Sequence, residues 1–139
     1  MMRLVVRLSI VTLGWINKLE EVYNVEFGGL QLSQGHIISK AYYILNQSSN
    51  DIKMIQWKNI NEAQKPKGTS NVSALDNNFH KKNITSLILS DKTFEGIKKM
   101  QEFLPKEFDT TRVNTGFCIK LIVKAALLEL EAEKACTTE

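Results

Sequence analysis

The residues that could perform catalysis or hold a metal are few, and their spacing suits neither task. The chain has two histidines, His36 and His80, and two cysteines, Cys118 and Cys136. They do not stand at the spacing of a metal site, and no phosphate-binding loop or nucleophile elbow is present. Paired acids fall within helical patterns and are expected to face solvent. We therefore expect no catalytic residue, no metal, no cofactor and no enzymatic activity.

Two arginines near the N-terminus have a spacing that suits a different chemistry. Residues 3–8 read Arg-Leu-Val-Val-Arg-Leu, a short run typical of a β-strand. Alternate side chains of a strand point to opposite faces. One face would carry Leu4, Val6 and Leu8, and the other Arg3, Val5 and Arg7. An exposed arginine can donate two hydrogen bonds to guanine O6 and N7, so the second face could read DNA bases.

The sequence contains an internal repeat. An offset of 81 positions aligns residues 8–43 with the second half of the chain without a gap. The identical pairs are Leu8/Leu89, Ser9/Ser90, Thr12/Thr93, Ile16/Ile97, Lys18/Lys99, Glu21/Glu102, Glu26/Glu107, Phe27/Phe108, Gly35/Gly116 and Ile38/Ile119. The second copy also begins with a strand-like run, Ile-Thr-Ser-Leu-Ile-Leu at residues 84–89. Each half is therefore expected to fold in the same way.

The first helix of each copy should follow its strand directly. Ser9 and Ser90 are favourable N-caps. Apolar residues at helical spacing follow each cap and form a stripe that should be buried. The stripes begin with Leu13, Ile16 and Leu19 in copy one, and with Phe94, Ile97 and Met100 in copy two. Val22 or Tyr23 would continue the first stripe, and Phe103 or Leu104 would continue the second. Gly28-Gly29 and Pro105 are expected to end these helices.

A second helix should follow, capped by Ser33 in copy one and Asn114 in copy two. In copy two this helix is apolar on several sides, so it should be the most buried element. One strand with two helices cannot bury a core alone, but two such units can pair their strands and pack their helices together. We predict a mainly α fold with a short two-stranded antiparallel ribbon, a pseudo-dimer within one chain.

This order of strand, Leu-Ser, helix, turn and capped helix resembles the ribbon-helix-helix DNA-binding superfamily of the Arc, MetJ and CopG type. The resemblance implies that the ribbon enters the major groove of double-stranded DNA and that helix N-termini hold phosphates. By position, the base-reading residues would be Arg3, Val5, Arg7, Ile84, Ser86 and Ile88. The phosphate contacts would be Ser33, Gln34, Asn114 and Thr115. Lys81 and Lys82, before the second strand, could be a phosphate-contacting arm or a solvated loop.

The second copy departs from the family pattern, and this leaves three functions open. Ile84 and Ile88 offer only apolar contacts, for instance with a thymine methyl group. The first function is a transcriptional regulator. The second is an accessory DNA-processing protein of a plasmid or mobile element, because tandem copies resemble such proteins of conjugation. The third is a protein-interaction module without DNA readout, which the apolar second strand would favour.

Composition and charge are compatible with these functions. The 139 residues carry a net charge of +3 and 43% hydrophobic residues, enough for a packed core. Residues 1–83 hold ten Lys/Arg and six Asp/Glu, whereas residues 84–139 hold eight and nine. The two cysteines form no disulfide framework, which fits a reducing cytoplasm. No segment is apolar enough for a transmembrane helix, and no cleavage site follows the apolar N-terminal stretch.

The expected organisation is copy one at 1–46, a partly flexible linker at 47–83 and copy two at 84–139. Residues 52–57, Ile-Lys-Met-Ile-Gln-Trp, could form a strand or a helical turn. Trp15 and Trp57 are expected to pack in the core. Charged residues from Glu129 to Lys134 should extend the last helix into solvent.

Overall fold

The computed structural model describes residues 2–8, 10–26, 33–49, 52–62 and 84–137, without the side chains of Glu26, Ile84, Thr85 and 131–137. Strand β1 (Met2–Arg7) precedes helices α1 (Ile10–Glu26) and α2 (Gln34–Ser49). A 3-10 turn (Ile52–Met54) and helix α3 (Trp57–Glu62) come next. Strand β2 (Ile84–Leu89) precedes helices α4 (Asp91–Glu107) and α5 (Thr115–Thr137). The chain is thus mainly helical with one small sheet.

The two strands form an antiparallel ribbon whose register follows the internal repeat. Val5 is the partner of Ser86, its equivalent at the 81-residue offset. The remaining pairs lie symmetrically about this rung, with Arg3 opposite Ile88 and Arg7 opposite Ile84. Two positions of β1 that lie equally far on either side of Val5, such as Arg3 and Arg7, are therefore each paired with the β2 equivalent of the other.

The core lies beneath the ribbon and surrounds α5. Every residue from Leu121 to Ala126 has at most 4% of its surface exposed, so α5 is buried on several sides, as predicted. Helix α1 packs on α5, and α2 packs on α4, α5 and β2. The apolar stripe of the first helices continues through Tyr23 and Leu104, which are equivalent positions, rather than through Val22 and Phe103. Trp15 and Trp57 are both buried in this core.

Helix α4 begins as predicted but does not end at Pro105. The Ser90 hydroxyl accepts a hydrogen bond from the Thr93 N–H at 3.2 Å and caps the helix. The helix continues through Pro105 to Glu107, so the proline lies in the last turn, where it cannot donate to the Gln101 carbonyl. It ends where Asp109 adopts a positive φ of 52°. The N–H of Thr110 then donates to the Pro105 carbonyl at 2.9 Å, as in a Schellman motif.

Residues 52–54 form a 3-10 turn that packs on α2 and α4, and α3 packs on α4 and α5 of copy two. The Trp57 indole N–H donates to the carbonyl oxygen of Ile52 at 2.9 Å, which joins the 3-10 turn to α3. Lys124 of α5 is 4% exposed, and its ammonium donates to the Asn61 carbonyl at 3.0 Å. A cation at the end of α3 also interacts favourably with the helix dipole. The Ile52–Trp57 segment is therefore helical, which its periodicity alone did not decide.

Large and small side chains are exchanged between the two copies where their helices meet. Gly96 of α4 lies against the ring of Tyr42 of α2, and a Cβ at position 96 would overlap that ring. The equivalent positions on α1 and α5 are Trp15 and Val123, both buried. Copy one thus supplies both large residues, and copy two both small ones.

This exchange predicts a reversal in the effect of one substitution. Gly96→Ala should destabilise the protein, because the new methyl group overlaps the Tyr42 ring. In a Tyr42→Ala background the same change should stabilise it by up to ~1 kcal/mol, the helix-propensity difference between glycine and alanine. A double-mutant cycle by urea unfolding measures the coupling. Equal effects of Gly96→Ala in both backgrounds would contradict the contact.

Among the described residues, no helix is both long and apolar enough to cross a membrane.

Candidate nucleic-acid interface

The outer face of the ribbon presents the predicted base-reading side chains to solvent. Arg3, Val5, Arg7, Ser86 and Ile88 are exposed, with 67% of Val5 and 54% of Ile88 accessible. The inner face carries Val6, Leu87 and Leu89, each at most 7% exposed. The alternation predicted for the first strand is therefore present, and the second strand alternates in the same way. The side chain of Ile84 lies outside the described part of the structure.

A hydrogen bond links the two strands across this face. The Nε of Arg3 donates to the hydroxyl oxygen of Ser86 at 3.0 Å. This bond orients the Arg3 guanidinium and leaves its two Nη groups available. The side chain of Arg7 makes no hydrogen bond or ion pair within the described residues. Both arginines can therefore still offer paired donors to an acceptor such as the O6 and N7 edge of guanine.

The second helix of each copy begins with the predicted cap. Ser33 Oγ accepts from the N–H of His36 at 3.2 Å, and Asn114 Oδ1 accepts from the N–H of Phe117 at 2.8 Å. Each cap satisfies one of the N–H groups that a helix N-terminus leaves without an intrahelical partner. The first turn of each helix carries a positive partial charge from its backbone N–H groups. This charge favours an anion at both places.

Two equivalent glycines bring these helix ends against the ribbon. A Cβ on Gly116 would lie 2.6 Å from the carbonyl oxygen of Arg7. A Cβ on Gly35 would lie 2.9 Å from the backbone nitrogen of Ile88, which is the equivalent of Arg7. Each second helix therefore approaches the strand of the other copy at the same position. Each end of the ribbon has one helix N-terminus beside it.

Cations predominate on the ribbon and on the second helices beside it. The two strands, α2 and residues 110–128 contain no aspartate or glutamate. Their cations are Arg3, Arg7, Lys40, Arg112, Lys120 and Lys124, and all except Lys124 are at least partly accessible. Exposed acids of the described residues lie on α4, where Asp91 closely follows β2, at Asp109 in the turn after α4, on α3 and on the C-terminal half of α1. The ribbon and the helix ends beside it therefore form an electropositive surface.

Sequence reasoning missed Arg112 as a member of this surface. It is exposed and lies two residues before the Asn114 cap. It lines an open cavity of about 300 Å³ together with Phe108, Thr110, Val113, Asn114 and Phe117. The rings of Phe108 and Phe117 meet edge to face at 5.3 Å and hold the turn. The sequence shows only a cation shortly before a helix cap. Cations are common in loops, so this pattern alone does not identify a member of the surface.

The described residues form no alternative site for chemistry. No group of three His, Cys, Asp or Glu in that part of the chain could hold a metal. Cys118 is fully buried, and its burial raises the pKa of the thiol to about 12. This thiol is therefore neutral at physiological pH and cannot act as a nucleophile. It is a core residue. His36 is exposed on the first turn of α2.

The structure brings most of the predicted DNA-contacting residues to one surface. Arg3 and Ser86 are in contact, Ser33 and Gln34 lie at the helix end beside Ile88, and Asn114 and Thr115 lie at the one beside Arg7. Lys81 and Lys82 lie outside the described residues. Comparisons with protein-family models, with curated proteins and with solved structures found no match for this chain.

Proposed function

We propose that this chain binds double-stranded DNA by inserting its ribbon into the major groove, as a transcriptional regulator with a tandem ribbon-helix-helix fold. One observation carries the proposal: the exposed face of the ribbon holds Arg3 and Arg7, and a capped helix N-terminus stands at each end of it. A ribbon of two strands fits the width of the major groove. Helix N-termini on both sides suit the phosphates that border that groove.

The symmetry of the contacts supports the view that the two copies act as the two halves of a dimer. The ribbon register is centred on the equivalent residues Val5 and Ser86. Gly35 and Gly116 are equivalent and approach equivalent positions of the opposite strand. A hydrogen bond from the Ser90 N–H to Ser39 Oγ, 3.1 Å, also joins α2 to the cap of α4. Each copy therefore completes the other.

DNA binding should weaken steeply with salt, because lysines, arginines and helix N-termini would replace the counterions of phosphates. Four neutralised phosphates would give a slope of about −3.6 in a plot of log affinity against log salt concentration. Gel shifts on random duplex DNA between about 50 and 200 mM salt measure this slope. Absence of any shift at the lowest salt would remove DNA binding as the function.

The protein should fold as a single molecule. Linkage of the two copies gives an effective concentration of roughly millimolar, so dissociation into separate halves is not the unfolding step. We expect the Tm to stay constant over a hundredfold range of protein concentration, in contrast to that of an obligate dimer. Residues 1–47 expressed alone should be unfolded or should self-associate. A Tm that rises clearly with concentration would argue for pairing between chains.

A protein-interaction module is the second candidate, and one observation favours it. Val5 and Ile88 leave large apolar surfaces exposed on the ribbon. Such residues can contact thymine methyl groups, but they can equally contact a protein. The same gel shift separates the two functions, because a module of this kind would not bind DNA at low salt. An accessory DNA-processing protein would use the same DNA interface. It would differ from a transcriptional regulator by recruiting a partner enzyme.

A further inference from the structure

The two strands of the ribbon are chemically unequal on the exposed face. Both arginines belong to β1. Opposite them in the ribbon stand Ile88, the partner of Arg3, and Ile84, the partner of Arg7. A symmetric dimer would instead present the same side chains on both strands. Hydrogen-bond donors that can recognise guanine therefore lie along one edge of the ribbon only.

The Ser86 hydroxyl of β2 is held in place by β1, and its O–H can still donate one hydrogen bond. Ser86 stands at the central rung, and its oxygen accepts the bond from Arg3 Nε. It therefore orients an arginine of the other strand. The Ile88 side chain, which is 54% exposed, can make apolar contacts but no hydrogen bond. Among the described side chains, β2 thus has no strong polar reader of its own.

Charge also differs between the two ends of the ribbon. Arg7 is adjacent to Gly116 at the N-terminus of α5, and Arg112 shortly precedes that helix. At the other end, where Arg3 pairs with Ile88, β2 is followed by exposed Asp91 at the start of α4. The end with Arg7 is therefore the more positive one. The placement of both arginines on β1 makes β1 the strand that determines specificity.

From this arrangement, and resting on the proposed function, we infer that the target is an asymmetric duplex site in which Arg3 and Arg7 read two guanines on one DNA strand. A β-strand rises about 3.3 Å per residue, so four residues span roughly 13 Å. Bases along one DNA strand are about 3.4 Å apart, which places the two guanines roughly four base pairs apart. The opposite DNA strand faces β2 and is read by apolar contacts and by at most the single hydroxyl of Ser86.

Selection of bound duplexes from a random DNA pool tests this inference. We expect an asymmetric motif with two guanines on the same strand, about three to five base pairs apart. Replacement of either guanine by 7-deazaguanine, which lacks the N7 acceptor, should weaken binding about tenfold. The same modification of guanines on the other strand should have little effect. A palindromic motif would overturn the inference and leave DNA binding intact, whereas no enrichment of any sequence would remove the proposed function itself.

A strand-exchange variant provides a second test with a gain of function. The triple substitution Ile84→Arg, Ser86→Val and Ile88→Arg gives β2 the reading residues of β1, and its selected motif should become palindromic. The control Val25→Arg with Met54→Arg adds the same charge at positions that are 79% and 71% exposed outside the ribbon. This control should raise affinity for all sequences and keep the asymmetric motif. An asymmetric motif retained by a folded triple variant would contradict the inference.

Discussion

Gly35→Ala and Gly116→Ala are each expected to destabilise the protein by about 2–4 kcal/mol, at or above the upper end of the usual range for overpacking. A methyl group at either position meets backbone atoms of the opposite strand rather than a side chain that can turn away. The second helix must then move off the ribbon. The same substitution in an ordinary helix would stabilise it by about 1 kcal/mol, so the sign of the effect is diagnostic.

Guanidinium unfolding of the two variants checks this expectation. Gln47→Ala is a suitable control, because Gln47 is an exposed residue of the same helix as Gly35. That change should alter stability by less than about 0.5 kcal/mol. The two glycine variants should also lose comparable amounts, since they occupy equivalent contacts. A stable Gly35→Ala protein would mean that α2 does not approach β2 closely.

The double substitution Arg3→Ala and Arg7→Ala should reduce affinity for the selected site by about 30- to 20,000-fold. Each paired contact of an arginine with guanine contributes about 1–3 kcal/mol, and ~1.4 kcal/mol corresponds to a tenfold change. The fold should be unaffected, because both side chains are exposed and only the Arg3–Ser86 bond is lost. Fluorescence anisotropy with a labelled duplex measures the affinity, and circular dichroism verifies the fold.

Lys99→Ala with Lys106→Ala removes the same charge from exposed positions of α4 and serves as the control. It should weaken binding only slightly and to all sequences alike. If both double variants lost the same affinity, charge rather than base recognition would explain the role of the arginines. If neither lost affinity, the ribbon would not be the DNA-contacting surface.

The elements that sequence reasoning predicted well are those whose signals are local. Alternation in β1 needs only neighbouring residues, and the caps Ser33, Ser90 and Asn114 act within one helical turn. The repeat strengthened each of these predictions, because the same spacing of apolar and capping residues occurs in two segments that otherwise differ in sequence. The stripe of the first helices is an example, since the same one of two adjacent alternatives, Tyr23 and its equivalent Leu104, is buried in both copies.

Features that depend on contacts distant in sequence could not be predicted in this way. The end of α4 is set by the left-handed conformation of Asp109, which is unusual for a residue other than glycine, whereas Pro105 is a stronger signal in the sequence. Burial of Lys124 depends on the approach of α3 from the linker. The Arg3–Ser86 hydrogen bond required the register, because the sequence does not state which residues face each other across the ribbon.

The exchange of volume between Gly96 and Tyr42 also constrains how such a chain can change over generations. A larger residue at position 96 is tolerable only if position 42 becomes smaller first. Copy one carries the large residue of this contact and copy two carries the glycine, so the two halves are not interchangeable. A descendant that keeps this contact must therefore inherit both halves together.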